Sequence, residues 1–527
     1  MVDRLKGIRI LRENIPYTED ASALFAELGG TAHDHTALLE SADVSTKSGL
    51  HSIAILGAAL RIQCDGTKVT AEAYTPYGEA LVGHLANETQ AKIVSRETSR
   101  LVLDYPQGFA TTEAERLTAL SSMEALRILS SPATVPGEEN LPLLLGGWAF
   151  DYLASFETLP EVPEGPNTFP DYHFVVGQII LTIDHQERTA ELIGIATEEE
   201  AESLAGELRQ IAGRIGGQVG VDKQEGHGPF TVTASVSDAD FRADVQALQN
   251  NIYQGDIYQV VPARSFTAEC KDAFAAYQQL RATNPSPYMF YVRDTVGDNP
   301  EVFELFGASP ESNLKFTPGD RKVELYPIAG TRPRGLNADG SINAELDIRN
   351  ELDMRTDPKE LAEHTMLVDL ARNDLARVGV PGTRRVADLL QVDRYSRVMH
   401  LVSRVTAELK PELDALDAYR ACMNMGTLTG APKIRATELL RGVEGQRRGS
   451  YGGAVGYIRG DGSMDTCIVI RSAYVQGGVA VVQAGAGVVR DSNPQSEADE
   501  TVHKAFAVLK ALALAAGHNG NDVEVER

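Results

Sequence analysis

Apolar residues recur along this chain with two spacings, every second residue or every third to fourth, and the switching between them marks the elements. In the first 200 residues, apolar or alternating runs at 53–56, 60–64 and 175–183 predict strands, while 113–129 has helical spacing. An acidic stretch at 197–208 reads as helix. Beyond it, 240–253 is helical, 257–266 alternates like a strand, and 322–328 predicts another. The runs 454–458, 466–474 and 479–483 predict neighbouring antiparallel strands joined by Gly- and Asp-rich turns, then capped by a last helix. The mixture predicts an α+β fold with large antiparallel or mixed sheets flanked by helices. Periodicity alone leaves the topology open.

One boundary interrupts the pattern. Residues 216–229 are Gly-rich and polar, the composition of a linker or exposed loop. The expected organisation is therefore a region 1–215, a connection 216–230 and a region 231–527. Four prolines in 160–170 predict a surface loop.

Two acidic words stand out: Glu360-Leu-Ala-Glu363 and Glu497-Ala-Asp-Glu500. Each puts two carboxylates on one face of a helical turn, where like charges repel unless a cation compensates them. Each also sits at a helix start, one opened by Asp357-Pro358 and the other by Asn493-Pro494. If the two starts face one another, four carboxylates converge, and a hard, oxygen-seeking Mg²⁺ suits them. Acidic first turns also arise simply because they complement the helix dipole. In the first helix, Glu363 and His364 fall inside the arc of Leu367, Val368, Leu370 and Ala371, a costly place for unpaired ionisable groups. In the second, Val502, Phe506, Leu509 and Ala513 predict the core stripe. Glu497, Glu500 and Lys504 share another face, where a solvated Glu500–Lys504 pair is the competing explanation.

Other motifs carry open alternatives. Gly449-Ser-Tyr-Gly-Gly and Gly485-Ala-Gly487 either expose amides to an anion or make tight turns. Gly485-Ala-Gly487 lacks the following helix of a dinucleotide fingerprint, since Val-Val-Arg reads as more strand. Arg332 and Arg334 suit carboxylate recognition or answer nearby surface acids. Arg471, inside an apolar run that reads as strand, is either buried against an anion or pointed to solvent by alternation, and the anion site is the preferred expectation. His400 sits among apolar residues, where a lone histidine is more often a satisfied core residue than a catalyst. Nucleophile-elbow and amidotransferase-cysteine templates find no match.

Composition narrows the class. A chain of 527 residues can hold two to four domains, and a net charge of −25 argues against sequence-independent binding of nucleic acid or anionic membrane. Cys64, Cys270, Cys422 and Cys467 lie far apart and read as reduced, packed residues. With no signal-like or membrane-length apolar segment, a cytoplasmic protein is expected.

Taken together, Pro327-Ile-Ala-Gly-Thr-Arg-Pro-Arg-Gly, Lys359-Glu-Leu-Ala-Glu-His, Leu367-Val-Asp-Leu-Ala-Arg-Asn-Asp-Leu, Gly430-Ala-Pro-Lys, Gly449-Ser-Tyr-Gly-Gly and Gln483-Ala-Gly-Ala-Gly resemble the chorismate-utilising enzymes. Among these, the motifs are most similar to large subunits of anthranilate synthases. They span roughly 240–515, and Leu38-Leu-Glu-Ser41 resembles the tryptophan-binding segment of those subunits. The resemblance makes 231–527 the catalytic region and gives 1–215 a regulatory segment. It implies Mg²⁺-dependent amination of chorismate by ammonia, with loss of pyruvate, and inhibition by tryptophan.

Residue by residue, it implies metal ligands Glu363 and Glu500 supported by Glu360 and Glu497. Chorismate contacts would be Gly330, Thr331, Tyr451, Arg471 and the amides of Gly485, Ala486 and Gly487. Glu311 would be the general acid, and His400 would assist pyruvate elimination beside Thr331. Tryptophan would bind near Glu40, Ser41, Pro287, Tyr288 and Met289. The partner implied is a glutamine amidotransferase small subunit supplying ammonia, in a hetero-oligomer such as a heterotetramer. Ala329 stands where aminodeoxychorismate synthases carry an attacking Lys, which counts against that relative. Isochorismate or salicylate synthase-like activity, a non-catalytic amino-acid sensor and a metal-dependent hydrolase are the other readings.

Overall fold

The computed structural model describes residues 5–41, 51–107, 112–216, 226, 228–297, 299–337, 339–395 and 398–527. Within them, 23 strands hydrogen-bond into one sheet system that closes on itself, and a two-stranded ribbon pairs Gln259–Val260 with Gly430–Ala431. The pairing is antiparallel apart from Phe230–Ala234 against Val523–Glu526, which is parallel. This is the α+β architecture expected, with helices packed on a mixed sheet.

Most predicted elements are present, and the differences have local causes. The runs 53–56 and 60–64 belong to one strand, His51–Asp65, whose register shifts between Ile55 and Leu60. Gly57, Ala58 and Ala59 make that irregularity, which from sequence reads as a break. The helical run 113–129 divides into Glu113–Thr118 and Met123–Leu129 around Ser121-Ser122, residues that compete with helix backbone for hydrogen bonds. The run 257–266 splits into Gln259–Val260 and Ala263–Glu269 at Pro262, which has no N–H to give to a ladder. Tyr326-Pro327 likewise separates Lys322–Leu325 from Ile328–Pro333. Helix Asp238–Gln254 runs as expected between a Ser237 cap and Gly255, which ends it at φ +83°.

The loop at 160–170 is not wholly superficial. Asn167 is buried, and its amide donates to Ser450 Oγ and Gln483 Oε1, both at 2.9 Å. It sits under the Gly449 turn, where a Cβ at Gly449 would lie 2.2 Å from the Asn167 carbonyl. Of the connection 216–230, residues 217–225 and 227 lie outside the described residues.

Strands from either side of that connection pair with each other. Thr36–Glu40 lies between His51–Asp65 and Tyr288–Val296, and Leu143–Trp148 pairs with Ala454–Arg459. All four cysteines are buried and free. No helix among the described residues is long and apolar enough to cross a membrane.

Candidate active site

Two long helices begin at one cavity. Pro358–Val378 is capped by Asp357, whose Oδ1 accepts from the amides of Lys359 and Glu360 at 2.9 and 3.3 Å. Pro494–Ala515 is capped by Asn493, whose Oδ1 accepts from Gln495 and Ser496 at 3.0 and 3.1 Å. Both prolines occupy first-turn positions where a missing N–H costs nothing. The second helix buries Ala498, Thr501, Ala505, Val508, Leu509 and Leu512, whereas Phe506 is 37% exposed. Leu509 and Ala513 of the expected stripe are buried and Val502 packs against the core, so the stripe departs from expectation at Phe506, and small residues such as Ala498, Thr501 and Ala505 make further close contacts.

The cavity holds about 570 Å³ and is lined by eleven of the thirteen metal, substrate and catalytic candidates. Ala486 and Glu497 lie behind it. The Ala486 amide donates to Pro262 O at 3.1 Å, and Glu497 is only 3% exposed. Gly330 has φ +88°, and a Cβ there would crowd Glu360 Oε2 at 3.3 Å.

Carboxylates from both helix starts feel one another without forming a ligand shell. Burial, reinforced by the charges of Glu360, Glu500 and Glu497, lifts the Glu363 carboxyl to about 7 against the pull of Lys359. Burial also raises Glu497. Each of the others answers a cation: Glu360 accepts from Arg332 at 2.9 Å, and Glu500 lies 2.6 Å from Lys504. Lys359 Nζ is 3.8 Å from Glu363 Oε1, an oxygen that is buried without a hydrogen-bond partner. Among the described residues, no three such groups are gathered closely enough to form a metal site, and Glu360, Glu363 and Glu500, which line the cavity together, each lie beside a cation. The donor chemistry still fits a hard divalent cation, because Glu363 presents an unmatched oxygen in a field of like charge.

Arg332 and Arg334 serve the fold. Arg332 binds Asp353, Asp357 and Glu360, and Arg334 grips Asp347 at 2.8 and 3.1 Å. His364 is buried and paired with Ser403 Oγ at 2.6 Å.

Arg471 differs. It interrupts the expected strand, between Met464–Ile468 and Ser472–Gln476, with φ +50°. Its side chain makes no ion pair or hydrogen bond among the described residues, while burial lowers its pKa. A strained, desolvated guanidinium without a counterion has the chemistry to bind an anion.

Opposite chemistry faces it. Burial pushes Glu311 up to about 8, so it is a protonated acid at neutral pH. Burial, then the charge of Arg471, brings His400 down to about 4, so it is a neutral imidazole. Thr331 Oγ1 lies 2.8 Å from His400 Nδ1. Sequence reasoning did not single out Thr427, whose hydroxyl donates to Glu311 Oε1 at 3.1 Å, nor Gln259 and His503 in the wall. Thr427 lies in irregular backbone before the Gly430-Ala-Pro-Lys motif, where periodicity has nothing to report.

A second cavity of about 200 Å³ is lined by all five tryptophan candidates, Glu40, Ser41, Pro287, Tyr288 and Met289. Glu40 spends its carboxylate on Tyr277 Oη at 2.5 Å and Arg281 Nε at 3.0 Å.

This fold and cavity place the chain in a class: it belongs to the chorismate binding enzyme family, whose pattern matches residues 77–510. It is 49% identical to anthranilate synthase component 1 of Vibrio cholerae over 99% of both chains. It is 48% identical to anthranilate synthase component 1 of Escherichia coli K12, over 95% of this chain and 96% of that one. The crystal structure of anthranilate synthase component I from Streptococcus pneumoniae superposes with a TM-score of 0.66 at 27% identity, covering 88% of this chain and 93% of the other.

Proposed function

We propose that the chain is the chorismate-aminating subunit of an anthranilate synthase, converting chorismate and ammonia to anthranilate and pyruvate, the first committed step of tryptophan synthesis. The observation that carries this is the opposed pair in one cavity: a protonated Glu311 and a neutral His400, beside the unpaired Arg471.

Arg471, Tyr451 and the backbone at Gly330, Gly485 and Gly487 bind the substrate's carboxylates and orient the ring. Glu311 gives its proton to the C4 hydroxyl as that group leaves, while ammonia adds at C2. His400, held by Thr331, moves a proton in the elimination that releases pyruvate and aromatises the ring. Glu363 and Glu500, backed by Glu360 and Glu497, would hold Mg²⁺, which supplies positive charge against the ring carboxylate. Ala329 in the cavity wall supports direct attack by ammonia over a lysine-linked route of the aminodeoxychorismate kind.

The chain carries no glutaminase machinery in its sequence, and the component 1 naming of its relatives supports a second component, a glutamine amidotransferase, as ammonia source. The resulting hetero-oligomer would be cytoplasmic. The second cavity would take tryptophan as feedback inhibitor.

Anthranilate fluorescence from purified protein given chorismate, Mg²⁺ and ammonium at alkaline pH tests the reading. Formation that stops with EDTA and is suppressed by tryptophan is expected. Chorismate binding without anthranilate would overturn it and favour another chorismate product or a sensor.

A further inference from the structure

The Gly430-Ala-Pro-Lys433 motif lies outside the cavity wall, yet it fastens something that belongs to it. Lys433 Nζ pairs with Asp374 at 2.7 Å and donates to the carbonyl of Cys422 at 2.8 Å, securing one end of the segment 423–429. Buried Arg448 secures the other, donating to Leu428 O at 2.8 Å while its second nitrogen reaches Val261 O at 2.8 Å. Between them, Asn424 Nδ2 donates to Phe150 O at 2.7 Å. Gly426 is pressed against the 358–378 helix so closely that a Cβ would lie 2.6 Å from Leu370 Cδ1. A seven-residue loop held at both ends and in the middle presents one polar side chain to the cavity, Thr427, whose hydroxyl meets Glu311 Oε1 at 3.1 Å.

That single contact breaks the symmetry of the carboxyl group. A carboxylic acid accepts a hydrogen bond best at its carbonyl oxygen, so a donor on Oε1 leaves the acidic proton on Oε2. Glu311 Oε2 has no hydrogen-bond partner among the described residues, so its proton is not committed to the protein. We infer that Thr427 is a positioning residue that fixes Glu311 Oε2 as the proton-donating oxygen, with Lys433 and Arg448 holding the loop that carries it. This rests on the role proposed for Glu311 above.

The test uses the full chain and its Thr427→Val and Thr427→Ser variants. The protonated-carboxyl stretch of Glu311 is followed through pH by infrared difference spectroscopy, with Glu311→Gln assigning the band. Because a donor favours the ionised form, Thr427→Val is expected to titrate at higher pH than the parent, and Thr427→Ser close to it. In parallel, Thr427→Val should lose about tenfold in kcat, part of the 10²–10⁴ that general acids typically supply, with Thr427→Ser restoring it. A band that stays put or moves down in Thr427→Val would overturn the inference, as would equal kcat losses in both variants. The infrared readout needs no turnover, so a parent protein that titrates as described but makes no anthranilate would refute the function and leave the contact established.

Discussion

Thr331 and His400 are directly opposed residues of paired strands, and their side chains close the pairing with a 2.8 Å contact at Nδ1. Backbone register thus fixes which ring nitrogen is engaged, as the role proposed for His400 requires. Removing the imidazole should separate the two halves of the reaction. In His400→Ala, anthranilate formation should fall by about 10²–10⁴, while chorismate continues to be consumed to an aminated, non-aromatic product. Chromatography of the reaction mixture would show it. Equal loss of chorismate consumption would move His400 to the first step.

As the proposed general acid, Glu311 should set the alkaline limit of the reaction. Its carboxyl titrates at about 8 in the folded protein, against an ordinary value of 4.5. The acid is spent above about 8, so kcat should decline there, and His400, neutral down to about 4, should impose no limb near neutrality. A pH–rate profile checks both.

The same burial carries a stability cost. A carboxyl whose folded value is raised contributes fully below 4.5 and progressively less as pH rises towards about 8. At about 1.4 kcal/mol per unit, Glu311→Gln should gain a few kcal/mol in stability, the gain growing between those limits and then levelling. Thermal melts at pH 5 and pH 9 would reveal it. A constant difference would contradict the burial argument.

Arg471 has no internal counterion to lose, so its truncation should fall on substrate binding. Arg471→Ala is expected to weaken chorismate binding by about 2–5 kcal/mol, and Arg471→Lys should recover little because an ammonium lacks the planar fork. Calorimetric titration with chorismate measures both variants directly.

The cavity proposed for tryptophan and Glu311 are joined by one strand pair. Tyr288 is opposite Ser309, and Ser309 Oγ accepts from the Glu311 amide at 3.3 Å. Ser41→Phe should fill the cavity of about 200 Å³ and raise the tryptophan inhibition constant about tenfold or more, the scale of 1–3 kcal/mol of overpacking, while uninhibited activity persists. Inhibition that survives intact would remove Ser41 from the site.

What the sequence revealed followed from chemistry that is local. The caps Asp357 and Asn493, the i, i+3 carboxylates and the strands of alternating residues all declare themselves within a few positions. Arg471 was legible as an odd charge in an apolar run but not as a break, because only its φ of +50° shows that the strand stops there. Arg332 and Arg334 looked equally fit for substrate, and the acids that claim them lie 13–28 residues away on other elements. Thr427 was invisible for the same reason: its meaning is Glu311, 116 positions earlier.

The pairing of Leu143–Trp148 with Ala454–Arg459 also bears on how the molecule comes into being. These partners are about 300 residues apart, and loop closure over such a span must precede any reward from the contact. At roughly 5–20 residues per second on a ribosome, an emerging apolar strand waits for about 15–60 s before its neighbour exists. The early part of the nascent chain therefore carries an open sheet edge until its neighbour emerges, an exposure to aggregation that follows from building one closed sheet from both halves of the polypeptide.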